Sequence, residues 1–394
     1  MSACAALVLL MMMAMAAAQP AARAASSAKG KSPRPNQQSR IYQEGDKWME
    51  VTTGSLATAP EVTVKVLGGS LAVEGGTQRE ITYTLKKWSR SANETEARRQ
   101  LQRYRLVATT SAKAAVIHVG GRGSAQNTIG SELTIHVPRS TGAVRIFTRG
   151  GNDAVSGIGG RVEIVAGTGN LRLDDIGGDI AASTMGGSVE VGTAGGNLTL
   201  KTGGGSVEIN AVNGQIIAHS GGGDIKIGSG GRNVIAETAG GTIHVKHCGG
   251  EFRANTGGGG IRLASAKGTV VANTSGGTIE LYGLTRGARV SSGGGRIVAE
   301  FLASSAFSAS SLQTPAGDIV VYLAPGLKAT VKAAIDLANG HRIRSDFSQI
   351  KVSDEGGRYV PKALYAEGNL NGGGPLLQVR TSNGDIQFRR LQGE

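Results

Sequence analysis

"TGGGSVEI", residues 202 to 209, places three consecutive glycines between a threonine and a short apolar alternation, and closely similar units follow along the chain. "SGGGDIKI" begins at residue 220, "TAGGTIHV" at 238, "TGGGGIRL" at 256 and "TSGGTIEL" at 274, so the spacing is eighteen residues each time. This regular return predicts a repeat architecture. A hydroxyl residue occupies the same point of seven units, here called the Thr/Ser column: Thr184, Thr202, Ser220, Thr238, Thr256, Thr274 and Ser292.

Apolar residues alternate with polar ones on both sides of each column residue. Around Thr202, for example, Leu198 and Leu200 precede the glycines, and Val207 and Ile209 follow them. A period of two is typical of half-buried strands, and no helical period is sustained here. Each unit is therefore predicted to be strand, glycine corner, strand and turn. Stacked at about 4.8 Å per unit, such coils close a shared core, so we expect an all-β, single-chain parallel β-solenoid with 18-residue coils.

The glycine runs invite a second interpretation, as phosphate-binding loops. Such a loop needs one distinctive copy that leads into a helix, whereas here many equivalent copies lead into strands. We therefore interpret the glycines as corners, and we expect the corner backbone to need positive φ in every coil. The column hydroxyls should bond backbone groups that the bend leaves unpaired.

Looser copies of the unit extend the solenoid at both ends. Thr148 and Thr168 mark earlier coils and Thr314 and Thr381 mark later ones, so the solenoid is predicted to span residues 141–394 with irregular C-terminal coils. Residues 41–140 differ, because strand-like segments surround "NETEARRQLQRY" at 93–104, which has helical propensity. We predict an N-terminal β-rich cap that contains one short helix.

The N-terminus predicts export. Residues 1–18, "MSACAALVLLMMMAMAAA", form an apolar run that ends in small residues, as a cleaved signal peptide does, and residues 19–40 form a flexible basic linker. An uncleaved N-terminal helix is the alternative. We expect the mature protein in the periplasm, at the cell surface or outside the cell, with no transmembrane segment after cleavage. Cys4 lies in the leader, so Cys248 would be the mature chain's single cysteine, with no internal disulfide.

Composition and charge limit the classes of binding partner that we expect. The formal charge of +13 permits attraction to anionic polymers, but the chain is only 4% aromatic. Because basic residues are not interleaved with aromatic ones and no recognised module is present, we predict no nucleic-acid binding. An anionic glycan, lipopolysaccharide or an envelope protein is the expected partner class.

The candidate catalytic and metal-binding residues do not form a predicted site. Asp174, Asp175 and Asp179 are the densest acids, but they fall in a turn and are interpreted as a solvated corner. In "HVKHC", residues 244–248, His244 should point outward and Cys248 inward, which argues against a shared metal ion. The nine-residue repeat with a recurring Asp that binds calcium is absent. We predict no catalytic residue, no metal site and no cofactor.

Besides the serial "TxGGxIxV" units, the chain contains "IHVPRST" at 135–141, "IRSDF" at 343–347 and "NGGGPLLQVRTSNGDIQF" at 371–388. In these segments it resembles the bacterial DUF4097 family, whose members carry an adhesin label. It covers roughly residues 50 to 390. The resemblance implies a secreted or envelope-associated β-solenoid and brings no catalytic residue with it.

A non-catalytic binding or structural role is the function we predict, with a long rigid face presented to an anionic polymer or a protein. The candidate site is a ladder of outward side chains on three successive coils: Lys226, His244 and Arg262. Three alternatives stay open: a carbohydrate-active β-helix enzyme (a polysaccharide lyase or hydrolase), an envelope-stress accessory protein, and a face whose charges are merely solvated.

Overall fold

A computed structural model describes residues 37–121, 129–355 and 362–392. The predicted signal peptide, residues 1–18, and most of the predicted linker lie outside these ranges. The linker's last residues do not fit that prediction, because a strand begins at Gln38. Within the described ranges, no helix is both long enough and apolar enough to cross a bilayer.

The described residues form one helix, α1 (Glu94–Arg103), and many short strands. In chain order the strands are β1 (Gln38–Glu44), β2 (Lys47–Leu56), β3 (Glu61–Val66), β4 (Ser70–Gly76), β5 (Ile81–Ser89), β6 (Tyr104–Thr110), β7 (Ala114–Gly121), β8 (Ile129–Pro138), β9 (Ala143–Gly150), β10 (Asp153–Ser156), β11 (Arg161–Thr168), β12 (Leu171–Asp174), β13 (Ile180–Thr184), β14 (Val189–Ala194), β15 (Leu198–Thr202), β16 (Val207–Val212) and β17 (Ile216–Ser220). They continue with β18 (Ile225–Gly230), β19 (Val234–Thr238), β20 (Ile243–Cys248), β21 (Phe252–Thr256), β22 (Ile261–Ala266), β23 (Val270–Thr274), β24 (Ile279–Leu284), β25 (Ala288–Ser292), β26 (Ile297–Phe301), β27 (Ser310–Ala316), β28 (Ile319–Leu323), β29 (Ala329–Ile335), β30 (Ile343–Ser345), β31 (Lys351–Glu355), β32 (Ala363–Leu370), β33 (Leu376–Asn383) and β34 (Ile386–Arg390).

Two parallel sheets make up the central stack. Even-numbered strands from β10 to β28 pair in sequence to form sheet A, and odd-numbered strands from β9 to β27 form sheet B. The register confirms the period, because Val189 pairs with Val207 and Leu198 with Ile216, eighteen residues on in each sheet. Each coil gives one strand to each sheet. The predicted all-β parallel solenoid is confirmed.

Both ends of the stack depart from chain order. The coil β3–β4 lies between the coils β7–β8 and β9–β10 and pairs in parallel with both. At the other end, the coil β33–β34 lies between β27–β28 and β29–β30. The segment predicted as a separate cap, residues 41–140, therefore contributes two coils to the solenoid, and residue 141 is not a structural boundary. Antiparallel strands β5, β6 and β32 then cover the outermost of these coils.

The core follows the predicted alternation. Inward side chains such as Ile243 and Val245 are no more than 1% exposed, and the column hydroxyls from Thr184 to Ser292 are buried with them. Thr148, Thr314 and Thr381 also occupy buried column positions. Thr168 does not: it pairs with Gly150, and Ala166 stands opposite Thr148 and Thr184 in the column.

The column hydroxyls link successive coils, as the sequence predicts. Thr256 Oγ1 donates to the carbonyl oxygen of Gly241, in the previous coil, at 2.8 Å and accepts the N–H of Gly259 at 3.2 Å. The same pair of bonds recurs at five further column residues, namely Thr202, Ser220, Thr238, Thr274 and Ser292. Each of these six hydroxyls thus pairs one partly buried backbone donor and one partly buried backbone acceptor at the corner.

The expected reason for the corner glycines was wrong for most coils. Gly187 has positive φ, but the equivalent glycines from Gly205 to Gly295 do not. A Cβ at Gly205 would instead lie 2.0 Å from the carbonyl oxygen of Gly187, and one at Gly259 equally close to that of Gly241. Glycine is required at this position because the coils stack too closely for a side chain. The preceding glycine of each run, such as Gly258, has open space around its Cβ position.

Helix α1 forms where it was predicted, and its ends are well partnered. Asn93 caps its N-terminus by accepting the N–H of Glu96 at 2.9 Å. At the other end, the buried Lys87 donates to the carbonyl oxygens of Leu101 and Tyr104, each at 2.7 Å. Burial lowers the pKa of Lys87. A cation at a helix C-terminus complements the helix dipole, so this contact docks the helix on the sheet.

One buried acid interrupts the apolar core. Asp153 is 2% exposed and stands opposite Leu71 and Leu171, in the inward row that is otherwise aliphatic along the central coils. Its Oδ2 accepts a hydrogen bond from Thr148 Oγ1 at 2.6 Å, while its Oδ1 has no partner among the described residues. Burial raises the pKa of Asp153 to about 6. Its ionised form is therefore poorly accommodated.

Candidate functional site

The predicted ladder lies in one row on the outer face of sheet A. Parallel pairing sets Lys226 beside His244 and His244 beside Arg262, on the adjacent strands β18, β20 and β22. Lys226 and Arg262 are exposed, and His244 is half-buried. The row continues through acids on both sides, in the order Glu190, Glu208, Lys226, His244, Arg262 and Glu280.

Salt bridges reduce the free charge of this row at its ends. Arg262 Nη1 lies 3.2 Å from Glu280 Oε2, and Arg172 pairs with Glu190 at 3.1 Å. Lys226 has no salt bridge to a described residue; its charge contributes to lowering the pKa of Asp224, whose main cause is the backbone hydrogen bond from Thr242. The centre of the row is thus more positive than its ends.

A third cation, which the sequence analysis missed, lies beside His244. Lys246 follows two residues later on β20, so it projects from the same face, and it is exposed. Partial burial lowers the pKa of His244, and the charges of Arg262, Lys246 and Lys226 lower it further. These three side chains, called the cationic cluster below, favour the neutral form of the histidine beside them. The alternation of β20 was the signal for Lys246, but the sequence analysis considered only the row that contains Lys226, His244 and Arg262.

The side chains of the "HVKHC" segment have separate surroundings. His247 Nδ1 lies 2.9 Å from Ser265 Oγ, and Cys248 is buried on the inward side, as predicted. Burial raises the pKa of the Cys248 thiol, which keeps it protonated. Among the described residues, no group of three or more His, Cys, Asp or Glu side chains is placed to hold a metal ion.

The acids at the predicted solvated corner have structural partners. Asp175 forms a two-point ion pair with Arg139. Asp174 Oδ1 accepts the backbone N–H of Thr193 at 3.0 Å, and Asp179 Oδ1 accepts a backbone N–H of the next coil at 2.7 Å. Asn and Asp side chains bridge successive coils in this way at several corners. These carboxylates support the stack, and the arrangement offers no acid and base pair.

Comparisons with known proteins add little. No family model and no curated protein matches the chain, so the DUF4097 resemblance remains an expectation from the quoted motifs. A solved structure from Clostridium sporogenes, provisionally assigned as a cell adhesion protein, is similar at 9% identity and a TM-score of 0.17, covering 91% of this chain and all of that one. A Bacteroides fragilis structure, provisionally assigned as an adhesin, is similar at 12% identity and a TM-score of 0.27, covering 69% and 96% of the two chains. At these TM-scores neither likeness supports an inference about function.

Proposed function

We propose that the protein is an exported, non-catalytic β-solenoid that binds an anionic polymer on the outer face of sheet A. The observation that carries the proposal is the convergence of Lys226, Lys246 and Arg262 on His244. Partial burial is the main cause of the lowered His244 pKa, and the charges of these three neighbours lower it further, as on a locally positive surface. The overall charge of +13 gives the same sign to the whole molecule.

The geometry suits an extended polyanion better than a compact ligand. Adjacent coils repeat at about 4.8 Å, so the cationic cluster spans three adjacent coils of sheet A. Each exposed ion pair contributes on the order of 0.2–1 kcal/mol, so useful affinity requires several contacts along one polymer. Such binding weakens steeply as salt is added.

A charge-removal variant tests the proposal. The variant carries Lys226→Ser, Lys246→Ser and Arg262→Ser, and it is applied to immobilised polygalacturonate at an ionic strength of about 0.01 M. We expect retention to fall markedly below that of the wild type, with an unchanged thermal melt, because these side chains project into solvent. At an ionic strength of about 1 M both proteins should elute early, because the Debye length is then about 3 Å.

The matched control removes the same charge elsewhere. Arg289, Lys328 and Lys351 are exposed and lie on sheet B or in the loop that leads into it, so changing all three to Ser also lowers the net charge by three. Retention close to that of the wild type is expected. Equal losses in the two variants would mean that diffuse charge alone holds the polymer, and the cluster would not be a site.

Export and the absence of catalysis are parts of the proposal with their own tests. N-terminal sequencing of protein from the extracytoplasmic fraction should begin near Gln19, after the small-residue site at the end of the leader. Recovery of only full-length chain from the cytosol would contradict export.

Polygalacturonate incubated with the protein should keep its chain length, and shortened products would contradict a non-catalytic role.

A further inference from the structure

The regular coils are interrupted at one place on sheet A. Gly283, in β24, has a φ of +60°, and the pairing with β26 shifts register between Leu281 and Leu284. The next coil is also longer, since Ser292 and Thr314 are twenty-two residues apart and the extra residues follow β26. Bulges redirect neighbouring side chains, and insertions in repeat proteins often mark the binding face. The side chains beside the interruption are therefore candidates for a binding surface.

Three such side chains form what we call the tyrosine platform: Tyr282, Glu300 and Tyr322. They project from the adjacent strands β24, β26 and β28, and Glu300 pairs in register with Tyr322. All three are half-buried. In the neighbouring outward row, Val298 and Val320 are only 7% and 3% exposed. The platform is thus a small aromatic surface beside a closed apolar strip.

The polar groups of the platform have spare hydrogen-bonding capacity. Neither tyrosine hydroxyl makes a hydrogen bond to a described residue, and the only bond to the Glu300 carboxylate is a long one, from the N–H of Gly283 at 3.4 Å. Arg262 lies over the Tyr282 ring, 5.7 Å from its centroid, and is also paired with Glu280. Donors and acceptors are therefore set at the edges of two aromatic rings.

We propose that the tyrosine platform binds uncharged sugar rings of a polysaccharide. The rings of Tyr282 and Tyr322 can cover the apolar C–H faces of a sugar, and the phenol and carboxylate groups can bond its hydroxyls. The two tyrosines are two coils apart, about 9.6 Å at about 4.8 Å per coil, which is close to the length of an extended disaccharide. The charge of Glu300 disfavours an anionic group at the centre.

The proposed sugar binding does not rest on the proposed polyanion binding, although the two sites share one face and Arg262 of the cationic cluster lies over the Tyr282 ring. The platform would contact its ligand through aromatic rings and through hydrogen bonds to uncharged sugar hydroxyls. Binding at the platform should therefore be insensitive to salt and to loss of Lys226 and Lys246. Loss of polyanion retention and loss of sugar binding can then be told apart.

The experiment measures binding of neutral hexasaccharides to the mature chain by calorimetry and by NMR. The probes are β-1,4-linked glucose, α-1,4-linked glucose and β-1,4-linked N-acetylglucosamine hexamers. We expect at least one to bind, with the affinity lowered at least tenfold by Tyr282→Ala and by Tyr322→Ala. Tyr322→Phe keeps the ring and should lose less. Tyr365→Ala, which removes an exposed tyrosine from β32 in the other sheet, should leave the affinity unchanged.

Two results would overturn the proposal. One is the absence of binding by all three hexamers at millimolar concentration to wild-type protein with a normal melt. The other is binding that survives both alanine changes or that disappears at high salt. A Tyr282→Ala protein that melts normally and binds polygalacturonate as the wild type does, but no longer binds the hexamer, would assign the sugar site to the platform.

Discussion

Asp153 provides a quantitative test of the stacked core, through the change Asp153→Leu. The folded-state pKa of Asp153 is raised to about 6, compared with an ordinary value of 3.8, so ionisation is opposed in the fold. Each pKa unit corresponds to about 1.36 kcal/mol. The free energy of unfolding is therefore lowered by about 3 kcal/mol at a pH where Asp153 is ionised in both the folded and the unfolded state. Loss of the acceptor for Thr148 should offset about 1 kcal/mol of the gain. We expect Asp153→Leu to raise the free energy of unfolding by about 2 kcal/mol at about pH 7.5.

The sign of the pH dependence distinguishes this effect from better packing alone. A raised folded-state pKa gives stability that is present below the unfolded pKa and lost as pH rises through the folded one. At about pH 4.5 only about 1 kcal/mol of the penalty remains, so the advantage of Asp153→Leu should nearly vanish.

Urea unfolding of wild-type and variant protein at the two pH values measures this difference. Asp224→Asn is the control: its pKa is lowered by hydrogen bonds from Thr242, so both pH values lie above its titration and its effect should not change between them. A gain from Asp153→Leu that is equal at both pH values, or a loss at both, would refute the assignment of a buried, strained carboxylate.

Other predictions concern the corners and the direction of the strands. Gly259→Ala should lower the thermal midpoint clearly, because its Cβ would meet the Gly241 carbonyl oxygen at 2.0 Å, whereas Gly258→Ala should change it little; similar losses would contradict the stacking explanation. Ile243→Asp should be severely destabilising, because it buries a charge, while His244→Asp should cost little, and equal melts would show that the inward and outward assignment is wrong.

Much of the fold was predictable because every coil needs inward apolar residues and a glycine corner at the same positions. The eighteen-residue spacing aligned column hydroxyls such as Thr202 and Thr256, and parallel stacking then determined which outward residues share a row. The order of the terminal coils was not predictable. Pairing of β33 with β27 and β29 joins segments whose separation in sequence follows no repeat, so spacing carries no signal of it.

The predictions from sequence were wrong or incomplete where individual coils depart from the repeat. Thr168 was interpreted as the mark of an earlier coil, but the strand pairing puts Ala166 at the column position of that coil. The corner glycines were attributed to positive φ. Their actual cause, the close approach of the neighbouring coil, cannot be recognised from the sequence of one coil. The tyrosine platform was missed because the bulge at Gly283 and the longer coil break the spacing that revealed the other rows.

The titration of His244 tests the central claim, the cationic cluster as an anion site, most directly. Its pKa is lowered by burial and by Arg262, Lys246 and Lys226, so a bound polyanion that neutralises these charges must raise it. By linkage, binding should also tighten as pH falls through the histidine's titration. Two-dimensional NMR of the imidazole, with and without polygalacturonate at low salt, measures both. We predict an upward shift of the His244 pKa that high salt abolishes, and an unchanged His244 pKa in polymer-bound protein would contradict the account.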